Sequence, residues 1–273
     1  MTSSRHYEFG ENWRRFLKVL NTDRIFAAER SLKRMLDVED LTNLRFLDVG
    51  SGSGLFSLAA RRLGAYVHSF DYDQDSVACA AALKTRYFPG DSRWVVERGS
   101  ILDGGYLHQL GKFDVVYAWG VVHHTGAMWQ ALDNTLIPLV DHGRLFIAVY
   151  NDQGKISEYW SRVKRAYTHY PATRPLITCV HVPVLACTRL LPRLLSGRPR
   201  SERGMALWYD LKDWLGGYPF EVASPGTIID FFRVRGCTLV DFVPSADPAG
   251  NNEFVFAYAE NKSTTAELHT SIL

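Results

Sequence analysis

The sequence predicts an α/β fold: an open, mostly parallel sheet of seven strands with helices on both faces, an N-terminal helical cap and a helical insert after the fifth strand. Three observations carry this. Between Arg45 and Tyr150, short apolar runs of buried-strand type alternate with stretches of helical periodicity. A glycine-rich bend, Gly50-Ser51-Gly52-Ser53-Gly54, joins the first run to the first of these helices. An acid, Asp71, closes the second run. Strands alternating with helices at this spacing need crossover connections, which are right-handed and leave neighbouring strands parallel.

Taken in order, residues 1–40 form the cap. Phe16, Leu17 and Leu20 repeat at helical spacing, as do Phe26, Leu32 and Leu36 less regularly, while Trp13 and Tyr7-Glu8-Phe9-Gly10 add bulk. These helices either cover the ligand cleft or simply pack on the sheet. The core, 41–150, opens with the strand Phe46–Val49. A helix follows with Leu55, Leu58, Ala59 and Leu63 on one face, ended by Gly64. The second strand is Tyr66–Phe70. The next helix runs from Asp75 to about Arg86, with Val77, Ala80, Ala81 and Leu83 as its apolar face. Trp94–Val96 is the third strand and Phe113–Trp119 the fourth. A helix from about Ala127 to Val140, bent near Pro138, leads through the turn Asp141-His142-Gly143 to the fifth strand, Arg144–Tyr150.

Alternation stops in the insert, 151–218. Asp152–Tyr170 reads as helical, with Ile156, Tyr159, Trp160, Val163 and Tyr167 on one side. Leu176–Leu195 has about the length of a membrane span. It contains His181, Pro183, Arg189, Pro192 and Arg193, so an amphipathic lid or interfacial segment is expected instead. Ser196–Gly204 is an exposed basic loop and Met205–Leu215 a helix. Residues 219–260 complete the core. Ser224 and Pro225 fit an N-cap and first helical position. The helix carries Ile228, Ile229, Phe231 and Phe232, and Gly236 stops it. Thr238–Val243 and Asn252–Tyr258 are antiparallel strands at one sheet edge. The tail, 261–273, is polar and expected to be disordered.

Composition narrows the class. The chain has 273 residues, 47% hydrophobic and 22% charged, as globular domains do. A net charge of +2 gives no global field for nucleic acid, so nucleic acid is not the expected partner. Cys79, Cys179, Cys187 and Cys237 form no C-x-x-C pair and read as reduced thiols, not a zinc site. The N-terminus lacks the apolar core of a signal peptide. A cytoplasmic location is expected, with peripheral membrane contact through 176–195 left open, and oligomeric state has no sequence signal.

The bend has a mechanical purpose. Glycines turn tightly and let a ligand approach where a Cβ would collide. Amides at the start of the helix attract carboxylate or phosphate. Asp71, leaving the second strand, can accept both hydroxyls of a ribose. The dinucleotide fingerprint is G-x-G-x-x-G; here the glycines run G-x-G-x-G, preceded by Asp48. This D-x-G-x-G-x-G arrangement resembles motif I of the class I S-adenosylmethionine (SAM) methyltransferases. A nucleotide or nicotinamide Rossmann domain is the alternative.

From Arg45 to Tyr258, apart from the insert, the chain resembles that class. The phrases AWGVVHHTGAMWQALDN, IAVYNDQG and LGGYPFEVASPGTIIDFF resemble a bacterial group similar to ubiquinone-biosynthesis O-methyltransferases. The resemblance implies SAM as cofactor and S-adenosylhomocysteine (SAH) as product. It implies that Asp48 orders the bend and that Gly50, Ser51, Gly52 and Gly54 line the methionine part. It places Asp71 on the ribose, Tyr72, Ser100 and Ile101 around the adenine, and Ala118 and Trp119 beside the sulfonium. Asp103 is a further candidate for the adenine amine.

Methyl transfer to oxygen needs close, collinear reactants and usually a base near neutral pKa. His123 and His124 follow the strand whose end faces the methyl group, and His124 is the favoured base. Asp152 can orient it, act as base itself, or accept a metal with Asn151. Oxygen ligands of this kind suit magnesium, although nothing in the pattern requires a metal. Tyr150, Asn151, Tyr209, Asp210 and Trp214 are candidates for the acceptor pocket. An Asn/Asp-Pro-Pro-Tyr/Phe tetrad, typical of base amino-group methylation, is absent after the fourth strand, where Gly120-Val121-Val122 stands. The expected activity is therefore O-methylation of a small molecule: a phenol or quinone-like compound, a sugar or a secondary metabolite, lipid-linked or not. The alternatives are an RNA- or protein-directed methyltransferase using Arg198–Arg203, and a non-catalytic SAM-binding protein.

Overall fold

The parallel strands are the apolar runs of the sequence. A computed structural model describes Trp13, Leu17 and residues 20–184, 215–245 and 250–259. In it the strands are β1 (Arg45–Val49), β2 (Tyr66–Asp71), β3 (Trp94–Arg98), β4 (Phe113–Trp119) and β5 (Leu139–Tyr150), followed by β6 (Cys237–Val243) and β7 (Asn251–Tyr258). They form one seven-stranded sheet in the order β3-β2-β1-β4-β5-β7-β6. β1 pairs in parallel with β2 on one side and β4 on the other, so the direction of winding reverses between them. A crevice opens at such a switch point, beyond the carboxyl ends of the strands. β7 runs antiparallel to both β5 and β6.

The period-two alternation of the strands divides the core. Along β4, Val116 and Ala118 enter one buried cluster with Leu47, Val49, Ile147 and Phe232. Val115 and Tyr117 enter the opposite one with Phe46, Leu58, Trp94 and Phe146. Each buried side chain of this size contributes roughly 1.5–3 kcal/mol of transfer free energy, and the two layers fix which residues reach the crevice.

Helix α1 (Thr22–Leu36) starts at Asn21, whose side chain accepts the Arg24 amide, and ends at Asp37 in the left-handed region. It buries Ile25, Ala28, Leu32, Met35 and Leu36. Phe26, expected on that face, is 42% exposed instead, with the Arg62 guanidinium over its ring. Helix α2 (Leu55–Arg62) follows the glycine bend, and α3 (Gln74–Tyr87) follows β2, capped by Asp73. A short helix that sequence reading missed, α4 (Gly104–Gln109), follows β3.

Two boundaries move. Helix α5 (Met128–Asn134) stops well short of Val140, and β5 begins at Leu139, not Arg144. Pro138 is the reason. It disfavours helix in the preceding residue, and its carbonyl accepts the Phe113 amide at 2.7 Å, which draws Leu139 into register opposite Phe113. The expected turn at 141–143 is an irregularity within that strand, with His142 at φ 60°.

Helix α6 (Lys155–His169) is where predicted, but a different side is buried. Ser157, Lys164, Tyr167 and Thr168 face inward, whereas Ile156 and Tyr159 are exposed. Trp160, Val163 and Ile177 pack with Tyr167, Val182 and Leu215 in a small cluster of the insert. Residues 174–184 are helical, and among the described residues no helix is long and apolar enough to cross a membrane. Helix α7 (Pro225–Arg233) has the predicted Ser224 cap and Pro225 start. The loop at 196–204 and the tail at 261–273 lie outside the described residues.

Candidate functional site

The glycine bend lies at the carboxyl end of β1. Its first two amides, of Gly50 and Ser51, both donate to the Phe70 carbonyl at 2.8 and 3.1 Å. Gly50 and Gly52 have φ of 65° and 53°, in the left-handed region that favours glycine. Space imposes the same choice. A Cβ on Gly50 would lie 2.6 Å from Val121, and one on Gly52 would lie 3.0 Å from the Trp13 indole. Gly54 works differently: its Cβ would lie 2.7 Å from the Ala80 Cα, so this glycine lets α2 pack on α3. The Ser51 hydroxyl is buried with no hydrogen-bond partner, which is costly unless a ligand supplies one. One orphaned hydroxyl at the bend fits a ligand with a polar group to offer it.

Asp71 ends β2 beside this bend. Its Oδ2 accepts the Gly52 amide and its Oδ1 the Asp73 amide, each at 2.9 Å. A carboxylate has about four lone-pair sites, so both oxygens retain capacity for a ribose diol. Burial pushes Asp71 up to about 6, against the pull of those two amides. Asp48 lies deeper. A buried chain runs from the Trp94 indole N–H to Ser69 Oγ at 2.9 Å, on to Ser57 Oγ at 2.7 Å, and ends with the Ser57 hydroxyl donating to Asp48. This relay ties β1, β2, β3 and α2 together beneath the bend. Burial raises its pKa to about 7, opposed by Ser57 and reinforced by the nearby Asp71.

The adenine-side candidates take varied places. Tyr72 is 63% exposed, with the Arg98 guanidinium 5.4 Å over its ring. Ser100 Oγ accepts the Leu102 amide, and Ile101 is buried, its carbonyl accepting Asn134 Nδ2 at 2.7 Å. Asp103 caps α4 by accepting the Tyr106 amide at 2.9 Å. Tyr106 in turn fills the space a Cβ on Gly99 would occupy.

At the carboxyl ends of β4 and β5 the structure assembles a second group. Ala118 is fully buried, and Trp119 Nε1 donates to Glu253 on β7 at 2.9 Å. His123 and His124 sit in a single 3-10 turn, Val122–His124. They differ sharply. His123 is buried, and burial, then His124 and Lys164, hold its pKa well below the ordinary value, against a backbone contact with Ala148. His124 Nδ1 lies 2.7 Å from the Pro219 carbonyl. A carbonyl only accepts, so Nδ1 carries a proton, and in the neutral ring Nε2 has the lone pair. The partner orienting Nδ1 is thus Pro219, not Asp152. Asp152 is exposed, and its Oδ1 accepts the Gly154 amide at 2.8 Å. Asn151 Oδ1 accepts Asn252 Nδ2 at 3.0 Å. Tyr150 closes the group, its ring centroid 4.2 Å from His123, 5.7 Å from His124 and 5.1 Å from Phe220.

What holds the histidines was not read from the sequence. The segment 218–223 lies across the ends of β4 and β5 like a strap. Besides Pro219, the Glu221 amide donates to the His123 carbonyl at 3.0 Å and the Ala223 amide to the Tyr150 carbonyl at 3.1 Å. The Glu221 carboxylate accepts the Met128 amide at 3.1 Å, and burial raises its pKa. Lys164, fully buried on α6, places its ammonium 4.8 Å from the Phe220 ring centre. The only signal was the phrase YPFEVASP, which carried resemblance but no spacing rule. Tyr209, Asp210, Trp214 and the Arg198–Arg203 cluster lie outside the described residues. Among the described residues, no group of three or more His, Cys, Asp or Glu is placed to hold a metal ion.

Residues 47–145, from the bend's strand through most of β5, match a family model described as a methyltransferase domain. No curated protein matches the sequence. Among solved structures, the magnesium protoporphyrin IX methyltransferase (ChlM) from Synechocystis PCC 6803 with bound SAH is similar with a TM-score of 0.55 at 12% identity, covering 91% of this chain and 94% of that one. The cyclase SpnF has a TM-score of 0.55 at 12% identity, covering 87% and 81%. An O-methyltransferase family protein from Burkholderia thailandensis has a TM-score of 0.51 at 11% identity, covering 80% of this chain and 52% of its own. At such identities the likeness establishes the fold alone, and SpnF's description as a cyclase shows why the chemistry must be argued from the site. Strand order, glycine bend, terminal acid and matched segment converge: this chain carries, over residues 47–145, a SAM-dependent methyltransferase domain of the class I fold.

Proposed function

We propose that the protein transfers the methyl group of SAM to a hydroxyl oxygen of a small-molecule acceptor, with His124 as general base. SAM supplies a methyl carbon already activated by a positive sulfonium. The single observation that carries the reading is the His124–Pro219 contact, because it leaves the lone pair on Nε2 at the carboxyl end of β4. An imidazole in that tautomer can accept a proton at Nε2. Gly50, Ser51 and Gly52 hold the methionine part, and Asp71 grips the ribose. Tyr72, Ser100 and Ile101 frame the adenine, and Ala118 and Trp119 border the reacting methyl. Tyr150, Asn151 and Phe220 wall the acceptor side, with Tyr209, Asp210 and Trp214 as candidates from the insert. His123 and Asp152 are the competing bases; the first is fully buried and the second exposed, which favours His124.

The test is label transfer from SAM into a metabolite pool, read by mass spectrometry, for the wild type and for His124→Ala, His123→Ala and Asp152→Ala. Loss confined to His124→Ala supports the assignment, and full turnover in that variant overturns it.

A lipid-linked acceptor is a second reading, favoured by one feature of the insert. Leu176, Val180 and Val184, spaced four apart on a helical stretch, are 68%, 54% and 59% exposed. Co-sedimentation with liposomes that is unchanged when all three become serine removes it.

A further inference from the structure

We propose that Trp13 forms the roof of the cofactor cleft, so that the N-terminal segment supplies a cofactor-contacting residue. This rests on the SAM reading of the bend. Gly52 is the central glycine of that bend, and its amide donates to the carboxylate assigned to the ribose. On its side-chain-free face lie indole atoms of Trp13, Cε2, Nε1 and Cζ2, at 3.0, 3.1 and 3.2 Å from where a Cβ would stand. The same residue therefore touches the sugar grip on one side and the indole on the other. Gly50 is walled differently, by Val121 beyond the end of β4. The two walls come from opposite ends of the sequence and face neighbouring glycines.

Trp13 is held there. It and Leu17 are helical positions four apart, hence on one helix face. Both pack against the core cluster to which Leu58 of α2 belongs. The indole is thus held between that cluster and Gly52. A flat aromatic fixed in this way offers a large contact area at little entropic cost. Its π-face also suits the sulfonium cation of SAM.

The experiment uses the full chain and two probes, SAH and SAM, titrated by calorimetry into wild type, Trp13→Phe, Trp13→Ala and Asp71→Ala. Trp13→Ala is expected to weaken both ligands by about tenfold or more, a loss of about 1.4 kcal/mol. Trp13→Phe should recover most of that. Equal affinity in Trp13→Ala makes the indole a bystander, and tighter binding makes it a plug; either overturns the proposal. Failure of the wild type to bind either probe overturns the SAM assignment beneath it. Failure of Trp13→Ala alone, with Asp71→Ala still weakened, overturns only the roof. Should Trp13→Ala fail to fold, fluorine NMR of 5-fluorotryptophan-labelled protein decides. The resonance lost in Trp13→Phe should move on adding SAH to the wild type, and an unmoved signal contradicts the assignment.

Discussion

The two halves of the crevice are built on different sequence scales. On the cofactor side, Ser57 reaches Asp48 over 9 residues, Ser69 reaches Ser57 over 12, Gly52 reaches Asp71 over 19 and Trp94 reaches Ser69 over 25. On the side proposed for the acceptor, Glu221 reaches Met128 over 93 residues, His124 reaches Pro219 over 95, Asn252 reaches Asn151 over 101 and Trp119 reaches Glu253 over 134. One half is a compact, nearly contiguous unit. The other is stitched from three separated parts of the chain. A local unit can be shared by proteins of many chemistries while a stitched one varies, which is how a single cofactor cradle serves many acceptors.

The largest effect should isolate the acceptor half. His124→Ala is expected to lower turnover by about 100-fold or more, the usual scale for a lost general base, with SAM affinity unchanged. Label transfer measures the first and calorimetry the second. A parallel loss of SAM affinity would show that the halves are not separable.

Asp71→Ala should do the reverse, weakening SAM by about tenfold or more. Titration of the same group sharpens the point. Its pKa is about 6, and in the proposed role it is the ionised form that would accept the ribose hydroxyls. Affinity should therefore rise as pH rises toward 6 and level off above it, by at most about tenfold per pH unit for one group. Calorimetry between pH 5 and 8 reads this, and a flat profile argues against the ribose role.

Stability should move the opposite way. Asp48 and Asp71 are raised to about 7 and about 6 from an ordinary 3.8, so the folded state binds more protons than the unfolded one across that range. Their contribution is complete below about pH 4 and is lost as pH climbs through 6 and 7. Asp48→Asn should flatten the decline in melting temperature over pH 5–8. An unchanged slope would place the pH dependence elsewhere.

The smallest effect belongs to the strap. Glu221→Ala removes the acceptor for the Met128 amide at the start of α5, a cap-type loss of about 1 kcal/mol. A lower melting midpoint with intact SAM affinity is expected. A loss of SAM affinity instead would join the two halves energetically.

This division also explains what was legible. Apolar runs gave β1 to β4 nearly to the residue, because buried parallel strands leave a local signature. The bend and Asp71 were readable because spacing alone brings them together. Pro138 misled about α5 and β5, since its carbonyl bond to Phe113 is a tertiary fact. The face of α6 was misread because the side that buries Lys164 against Phe220 is chosen by a segment more than fifty residues later. His124 was visible as a residue type, yet its tautomer depends on Pro219. No periodicity or motif reports that pairing.

The most direct test is a crystal structure of the protein with SAH. The ribose hydroxyls should meet the Asp71 carboxylate, the methionine part should lie along Gly50–Gly52, and the sulfur should face the His124 side of β4. A nucleoside bound anywhere else, or a sulfur pointing away from His124, would contradict the assignment.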